Sequence, residues 1–232
     1  MQKLMKALAA IMLMVAVVCT ACTKDPENGN NANNLSYVDL GLPSGLLWAT
    51  CNIGANTPEE YGDYFAWGET TSKNTYNWNN YKYCNGDRNQ LTKYCNDVDY
   101  GHNGFTDTLT RLIFSDDAAT TNWGEEWHIP TGEEYVELLL YTNNVWTTQN
   151  GVYGRLFTAP NGASIFLPAA GVREDSDLLE AGNFGDYWTS SLATDYPADA
   201  LDFVFDSPEG FVDACHRNRG CSIRAVRSAA KN

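Results

Sequence analysis

Two cysteines near the end of the chain, Cys215 and Cys221, stand six residues apart around His216 and Arg217. Nearby positive groups lower the pKa of a thiol and make it a better nucleophile or metal ligand. The same pair would equally well close a small disulfide loop, because the intervening "RNRG" is typical of a turn. The residue types therefore leave three hypotheses open: a reactive thiol pair, a structural disulfide, or a loop with two spectator cysteines.

The sequence contains seven cysteines, of which two belong to the N-terminal segment and five to the remainder. An exported domain can form disulfides, but five is an odd number and sequence alone does not settle the connectivity. The pairs closest in sequence, and hence the disulfide candidates, are Cys84 with Cys95 and Cys215 with Cys221, which leaves Cys51 over.

The N-terminal segment is typical of export and anchoring. Lys3 and Lys6 precede an apolar run from Ala7 to Val18 that is too short to span a bilayer, as in a signal peptide. The small residues before Cys22 resemble a bacterial lipobox, in which the cysteine is acylated and becomes the new N-terminus. We therefore predict a lipoprotein signal peptide at 1–21, lipid attachment at Cys22 and a flexible tether at 22–35. Ordinary cleavage that leaves the cysteine free is the alternative.

Charge and the acidic residues after the anchor bear on location and partners. Asp25 and Glu27 resemble the surface-export signal of Bacteroidetes lipoproteins, so we expect an outer-membrane, lipid-anchored, surface-exposed protein. The formal net charge is −14, and removal of Lys3 and Lys6 with the signal peptide lowers it to −16. Such a surface repels phosphate backbones. The sequence thus argues against nucleic acid and leaves an unknown protein or glycan as the partner.

Capping and turn signals predict the elements that must position these residues. Thr131 and Glu134 form a capping-box pattern before apolar residues at helical spacing, and a shorter helix is predicted from Ser115 to Gly124. Turns at "PSG" and "PNG" predict antiparallel hairpins. The order of a hairpin, two helices and an antiparallel run predicts one α+β domain at 36–228, with two main helices packed on short twisted antiparallel sheets and long loops.

Residues 71–108 are rich in Asn, Tyr, Gly and Asp, show little periodicity and are predicted to form a long loop region. Loops of this length in a compact domain are usually functional or held by cross-links. A disulfide between Cys84 and Cys95 would hold this one.

Several blocks resemble, in order, the Fibrobacter-type major paralogous domain of Bacteroidetes surface lipoproteins: "VDLGLPSGLLWATCNIGA", "DDAATTNWGEEWHIPTGEEYVELL", "GASIFLPAAGVR", "GDYWTSS" and "CSIRAVR". The resemblance covers about Tyr37 to Arg227. It implies a C-type lectin-like fold, related to formylglycine-generating (sulfatase-modifying) domains, with ligand or surface binding as the usual inference. Trp127 beside the helix start, and Trp188 and Ile223 in strands, are expected to be buried scaffold.

The similarity to formylglycine-generating enzymes implies one catalytic hypothesis. In those enzymes two near-terminal cysteines bind copper and carry out an oxidation, and Cys215-His216-Arg217 with the later Cys221 resembles that segment. Thiolate pairs favour Cu(I). A copper-dependent oxidase using Cys215 and Cys221 is therefore kept as an alternative to a non-enzymatic function.

Calcium-dependent carbohydrate binding is a second alternative, suggested by the lectin-like resemblance. Such a site needs several oxygen ligands around a Pro-containing loop. The stretches "DSPEG" and "TDYPADALD" supply Asp near Pro, but neither Glu-Pro-Asn nor Gln-Pro-Asp occurs. Solvated turn positions explain these aspartates more simply, so we expect no cofactor, with a structural calcium ion as the alternative.

The late strands and the loops between them occupy the place of the displayed surface in lectin-like variable proteins. Strand alternation directs Leu201, Phe203 and Phe205 inward and their neighbours outward. Aromatic, Arg and Asn side chains on a rigid sheet are effective recognition groups. We therefore predict a protein- or glycan-binding face. Its predicted residues are Asp195, Tyr196, Asp202, Asp206, Phe211, His216, Arg217 and Asn218.

Overall fold

The computed structural model describes residues 35–229. The signal peptide, the Cys22 lipid site and all but the last residue of the tether lie outside the described residues. The elements are β1 (Tyr37–Asp39), β2 (Leu46–Ala49), α1 (Ala118–Trp123), β3 (Trp127–His128), α2 (Gly132–Tyr141), β4 (Asn143–Gln149), β5 (Val152–Thr158), β6 (Ser164–Pro168), β7 (Val172–Glu174), β8 (Asp177–Leu179), β9 (Gly185–Leu192), β10 (Asp199–Phe205), β11 (Gly210–His216) and β12 (Val226–Ser228).

Within this part of the chain the strands form four antiparallel sheets, with strand orders β1-β2-β12-β3, β11-β10-β9, β4-β5-β6 and β7-β8. The predicted "PSG" and "PNG" turns join β1 to β2 and β5 to β6. The strand β4 was not predicted, because its polar sequence NNVWTTQ lacks a clear alternation. Small antiparallel sheets with few helices are compatible with the predicted α+β class.

The longer helix, α2, forms where its caps predict it. The Thr131 hydroxyl accepts a hydrogen bond from the Glu134 N–H at 3.2 Å, and the Glu134 carboxylate accepts one from the Thr131 N–H at 2.8 Å. This reciprocal pair satisfies two of the donors that every helix start leaves free. Tyr135 and Leu138 are fully buried, and the helix packs against β9, β10 and β11.

The shorter helix, α1, ends at Gly124 as predicted but begins later than Ser115. The cap is Asp117, whose carboxylate accepts a hydrogen bond from the Thr120 N–H at 3.0 Å. Residues Phe114–Asp116 form a separate 3-10 turn before it. Ser115 and Asp117 both belong to the class of capping residues, and packing selects the second because its other oxygen accepts from the Ile129 N–H at 2.9 Å.

The core consists of two clusters that are rich in aromatic side chains. One lies between the long loop, α1 and β9 and includes Trp67 and Trp188. The other lies between α2, β2, β5 and β10 and includes Trp48 and Phe203. The predicted scaffold residues are buried as expected: Trp127, Trp188 and Ile223 are at most 3% exposed.

Residues 71–108 are irregular, as predicted, apart from 3-10 turns at Trp78–Asn80 and His102–Gly104. The predicted disulfide within them is wrong, because Cys84 and Cys95 are free thiols. Each thiol bonds instead to a carbonyl oxygen of its own turn: Cys84 to Trp78 and Cys95 to Asp97, both at 3.1 Å. The loop is therefore held by other contacts.

In residues 35–229 no helix is both long enough and apolar enough to cross a membrane.

Candidate functional site

The hairpin of β10 and β11 carries four of the eight predicted ligand-binding residues, and the other four lie in the segments directly before and after it. The two strands pair from Asp199 opposite His216 to Phe205 opposite Gly210, and β9 pairs with the other side of β10. One face of β10 packs against α2, where Tyr135 stacks on Phe203, and on the other face Asp202 lies next to Asp186 and Cys221. The predicted outward face is therefore wrong: Asp202 and its same-face neighbour Val204 are 2% and 4% exposed.

The predicted residues that remain accessible separate into two groups. Asp195 and Tyr196 lie exposed in the turn before β10, near His216. Asp206 and Phe211 lie at the other end of the hairpin, about 20 Å away by the rise of an extended strand. The structure does not bring the predicted set into one site, and Asp195 and Asp206 cannot share a calcium ion.

His216 is half-buried rather than projecting. Its ring nitrogen Nδ1 pairs with the carboxylate of Asp199, directly across the hairpin. The edge of the ring also meets Trp78, with the ring centroids 5.9 Å apart. His216 thus links the open end of the hairpin to the long loop, through Asp199 on one side and Trp78 on the other.

Arg217 is fully buried, although its position in the loop predicts a solvent-facing side chain. Its Nη1 donates to the carbonyl oxygens of Tyr94 and Pro197, both at 2.8 Å. Its guanidinium carbon lies 5.3 Å from the ring centroids of both Trp67 and Tyr81. A planar group with fixed donors and a stacking face suits this position. Arg217 fastens the long loop to the sheet and is not available to a ligand.

Asn218 is the third predicted residue that the fold removes from the surface. It is 5% exposed, and its amide donates to the Tyr76 carbonyl oxygen at 3.4 Å. Arg217 and Asn218 together show that the 216–219 turn is folded inward.

Behind the β10–β11 hairpin the structure gathers two thiols and two acids from separate parts of the chain. The sulfur atoms of Cys215 and Cys221 and a carboxylate oxygen of Asp186 all lie within 4.8 Å of one another, and Asp202 adjoins them. Cys221 is brought there because the Ser222 N–H donates to the Asp186 carbonyl oxygen at 3.2 Å. We call these four side chains the thiol–carboxyl cluster. Within residues 35–229 no other three His, Cys, Asp or Glu donors converge in this way.

Burial sets the protonation of the thiol–carboxyl cluster. It raises the pKa of Asp186 to about 8, with the nearby Cys215 adding to the effect. Burial and the neighbouring Asp186 raise the pKa of Asp202, and burial raises the pKa of the Cys221 thiol. The expected lowering of thiol pKa by adjacent positive residues therefore fails for Cys221. At neutral pH Asp186 is therefore mostly protonated and Cys221 stays a thiol.

The second predicted disulfide is also absent. Cys215 and Cys221 lie 4.5 Å apart and are free thiols, whereas a disulfide joins sulfurs about 2.05 Å apart. One oxygen of Asp186 and one of Asp202 are buried without a hydrogen-bond partner in the described part of the chain. Sulfur ligands beside free carboxylate oxygens suit a soft or borderline ion such as Cu(I) or Zn(II). The residues present fit a metal, whose binding would displace the protons.

Sequence reasoning did not identify Asp186 and Asp202 as partners of the cysteines. A signal was present for Asp186, which is an acid within "GDYWTSSL", a run rich in apolar and aromatic residues. All eight residues of that run are buried in β9. Local pattern does not show which distant thiols meet such an acid.

Comparisons of the chain with protein-family models, with curated proteins and with solved structures found no match. The major paralogous domain and the C-type lectin-like fold therefore remain predictions from sequence.

Proposed function

We propose that the protein is a lipid-anchored, surface-exposed module with one C-type lectin-like domain. It recognises a protein or glycan ligand and does not catalyse a reaction on it. The lipobox-like segment around Cys22 and the family-like blocks support this proposal, and the mixed antiparallel architecture is compatible with it. The net charge of −14 makes nucleic acid an unsuitable partner.

The observation that carries the proposal is the exposure of two aromatic side chains, one on the β10–β11 hairpin and one in the turn that leads into it. Phe211 is 45% exposed on β11, the outer strand of its sheet, and Tyr196 is 63% exposed in the turn before β10. Aromatic groups on a fixed backbone offer large contact area at low entropic cost. Asp195 and Asp206 beside them would complement basic groups of a partner.

Access argues against catalysis at the thiol–carboxyl cluster. Cys221 is fully buried and Cys215 is 7% exposed, so a substrate would have to displace the segment before β12 to reach either sulfur. The exposed residues of the hairpin need no such rearrangement, and recognition is therefore the better-supported function.

Binding arrays test the proposal directly. We expect the mature chain to retain a glycan or protein on an array in buffer with EDTA, and Phe211→Ala or Tyr196→Ala to weaken that binding at least about tenfold. Tyr153→Ala is the matched control, because Tyr153 is a comparably exposed aromatic on β5, away from the hairpin. Failure to bind on both the glycan and the protein array, or equal binding by all three variants, would refute the proposal. Loss of binding with EDTA alone would favour the calcium alternative.

The anchor has its own test. Mass spectrometry of the purified full-length product is expected to show acyl chains on an N-terminal Cys22. An unmodified cysteine after cleavage, or processing that is insensitive to globomycin, would contradict the lipoprotein assignment.

A copper-dependent oxidase remains the second candidate, and the convergence of Asp186, Cys215 and Cys221 favours it. When bound, copper would supply the redox chemistry, and the two sulfurs would hold it. Titration of Cu(I) against a chromogenic chelator should show one equivalent bound, lost in Cys215→Ser and Cys221→Ser. Binding unchanged by these substitutions would remove the candidate.

A further inference from the structure

A polar cleft of about 400 Å³ lies between the segment 62–76 and the β7–β8 hairpin, outside the β10–β11 surface. Its wall is held by paired main-chain bonds: the Tyr76 N–H donates to the Asp175 carbonyl oxygen at 2.8 Å, and the Asp175 N–H donates back to that of Tyr76 at 2.9 Å. The Asn77 amide adds a bond to the Asp175 carboxylate at 2.9 Å. The cleft is therefore shaped before any ligand arrives.

Arg173 provides the cleft with an unmatched positive charge. Its guanidinium is half-buried and lies 5.0 Å from the ring centroid of Tyr64. Residues 35–229 offer this guanidinium no carboxylate within ion-pair distance, whereas Lys73 in the same cleft is paired with Glu69 at 2.9 Å. A fixed guanidinium with free donors matches the two oxygens of a carboxylate.

The remaining groups around the cleft select a polar, hydroxyl-bearing molecule. Ser72, Asn74 and Ser176 are exposed and offer donors and acceptors, and the Asp63 carboxylate can accept from hydroxyl groups. The side chain of Tyr76 is 1% exposed, so the wall presents little aromatic face to an apolar ligand. The Asp63 charge and the acidic chain oppose a polyanion. One carboxylate on a hydroxylated body meets all these conditions.

We propose that this cleft binds a carboxylated sugar of the uronic-acid type. The sugar carboxylate lies on Arg173, and its hydroxyl groups bond to Ser72, Asn74 and Ser176. The site is separate from Phe211 and Tyr196, so binding in this cleft can be tested independently of recognition at the β10–β11 hairpin.

Calorimetry on the mature chain tests the proposal with three probes at constant ionic strength: D-galacturonate, D-galactose and acetate. We expect galacturonate to bind at least about tenfold more tightly than either of the others, because only it joins the carboxylate to the hydroxyl groups. Arg173→Gln should weaken galacturonate binding at least about tenfold, and Arg88→Gln, a change at an exposed arginine elsewhere, should leave it unchanged. Ser176→Glu at the exposed rim should also weaken galacturonate binding. If Arg173→Gln fails to fold, Ser176→Glu serves as the test in its place.

Three results would overturn the proposal: no binding of galacturonate, equal binding of galactose or acetate, or full affinity in a folded Arg173→Gln or Ser176→Glu protein. Loss of array binding in the Phe211 and Tyr196 variants has no effect on these readouts.

Discussion

Arg217 joins three separated parts of the chain through one residue. Its guanidinium reaches Tyr94 in the long loop and Pro197 before β10, and its carbonyl oxygen accepts from the Trp67 N–H at 2.9 Å. A buried cation is tolerated here because carbonyl oxygens and aromatic faces replace water. Arg217 therefore holds the long loop through its side chain and its main chain, in place of the disulfide that was predicted to do so.

Replacement of Arg217 by Met should destabilise the protein by about 3 kcal/mol, because several buried carbonyl oxygens lose a charged donor. Urea unfolding followed by tryptophan fluorescence measures this change. Arg88→Met at an exposed position is the control, with an expected change within about 0.5 kcal/mol. Equal stability of the two variants would show that Arg217 does not hold the loop.

Asp186 makes stability depend on pH. Its pKa is raised to about 8 in the folded protein, well above the value near 3.9 expected for an unfolded chain. Between these values only the folded protein holds the proton, so its contribution to stability is complete below about pH 4 and is lost as the pH rises toward 8. This contribution therefore favours folding most at acidic pH.

Between pH 5 and pH 7 the parent protein should lose about 2–3 kcal/mol of stability through Asp186, and Asp186→Asn should not show this loss, because the amide keeps the shape of the protonated acid without titrating. Urea unfolding at both pH values, with EDTA present to exclude metals, measures the difference. An identical pH slope in parent and variant would mean that Asp186 is already ionised in the folded state.

At the scale of elements, neighbouring residues determine where α2 begins, and packing against the sheet determines where it lies. The capping box of Thr131 and Glu134 determines where it begins. Tyr135 then stacks on Phe203 of β10, with ring centroids 4.6 Å apart, which places the helix against the sheet. The two contributions are separable by mutation.

Thr131→Ala removes the hydroxyl that caps α2 and should cost about 1 kcal/mol. Thermal or urea unfolding measures the loss. Thr121→Ala, at an exposed position within α1, changes the same atoms without touching a cap and should cost nothing. An equal loss of stability in both variants would mean that the loss comes from replacing any threonine and not from removing the cap.

At the scale of the whole molecule, the fold leaves four cysteines as free thiols, Cys84, Cys95, Cys215 and Cys221, even though the sequence predicts export to a compartment that permits disulfides. Cys84 and Cys95 face different turns, and Cys215 and Cys221 are buried at the thiol–carboxyl cluster. The distances between their sulfur atoms make the reduced thiol the expected state of these four residues.

Alkylation without reducing agent is therefore expected to leave Cys95, Cys215 and Cys221 unlabelled in the native protein and to label them after urea is added. Peptide mass spectrometry identifies each site, and a sample treated with reductant before alkylation serves as the control. Disulfide-linked peptides that join Cys84 to Cys95, or Cys215 to Cys221, would contradict the structure.

The sequence by itself determined the features that a few neighbouring residues control. The capping box of α2, the end of α1 at Gly124, the two hairpin turns and the irregular loop at 71–108 all follow from such local preferences. The burial of Trp127 and Trp188 was also predicted from the sequence, because large aromatic side chains beside a helix start or in a strand are usually buried in the core.

Only the tertiary structure decided which polar residues are available for function. Asp202, Arg217 and Asn218 were predicted at the surface and are buried, because Asp202 packs against Asp186 and Cys221 and the turn after β11 folds inward. The thiol–carboxyl cluster and the Arg173 cleft each combine segments far apart in sequence. A pattern of neighbouring residues reports local backbone preference, whereas exposure and pairing depend on which distant segments pack together, and that information exists only in the folded chain.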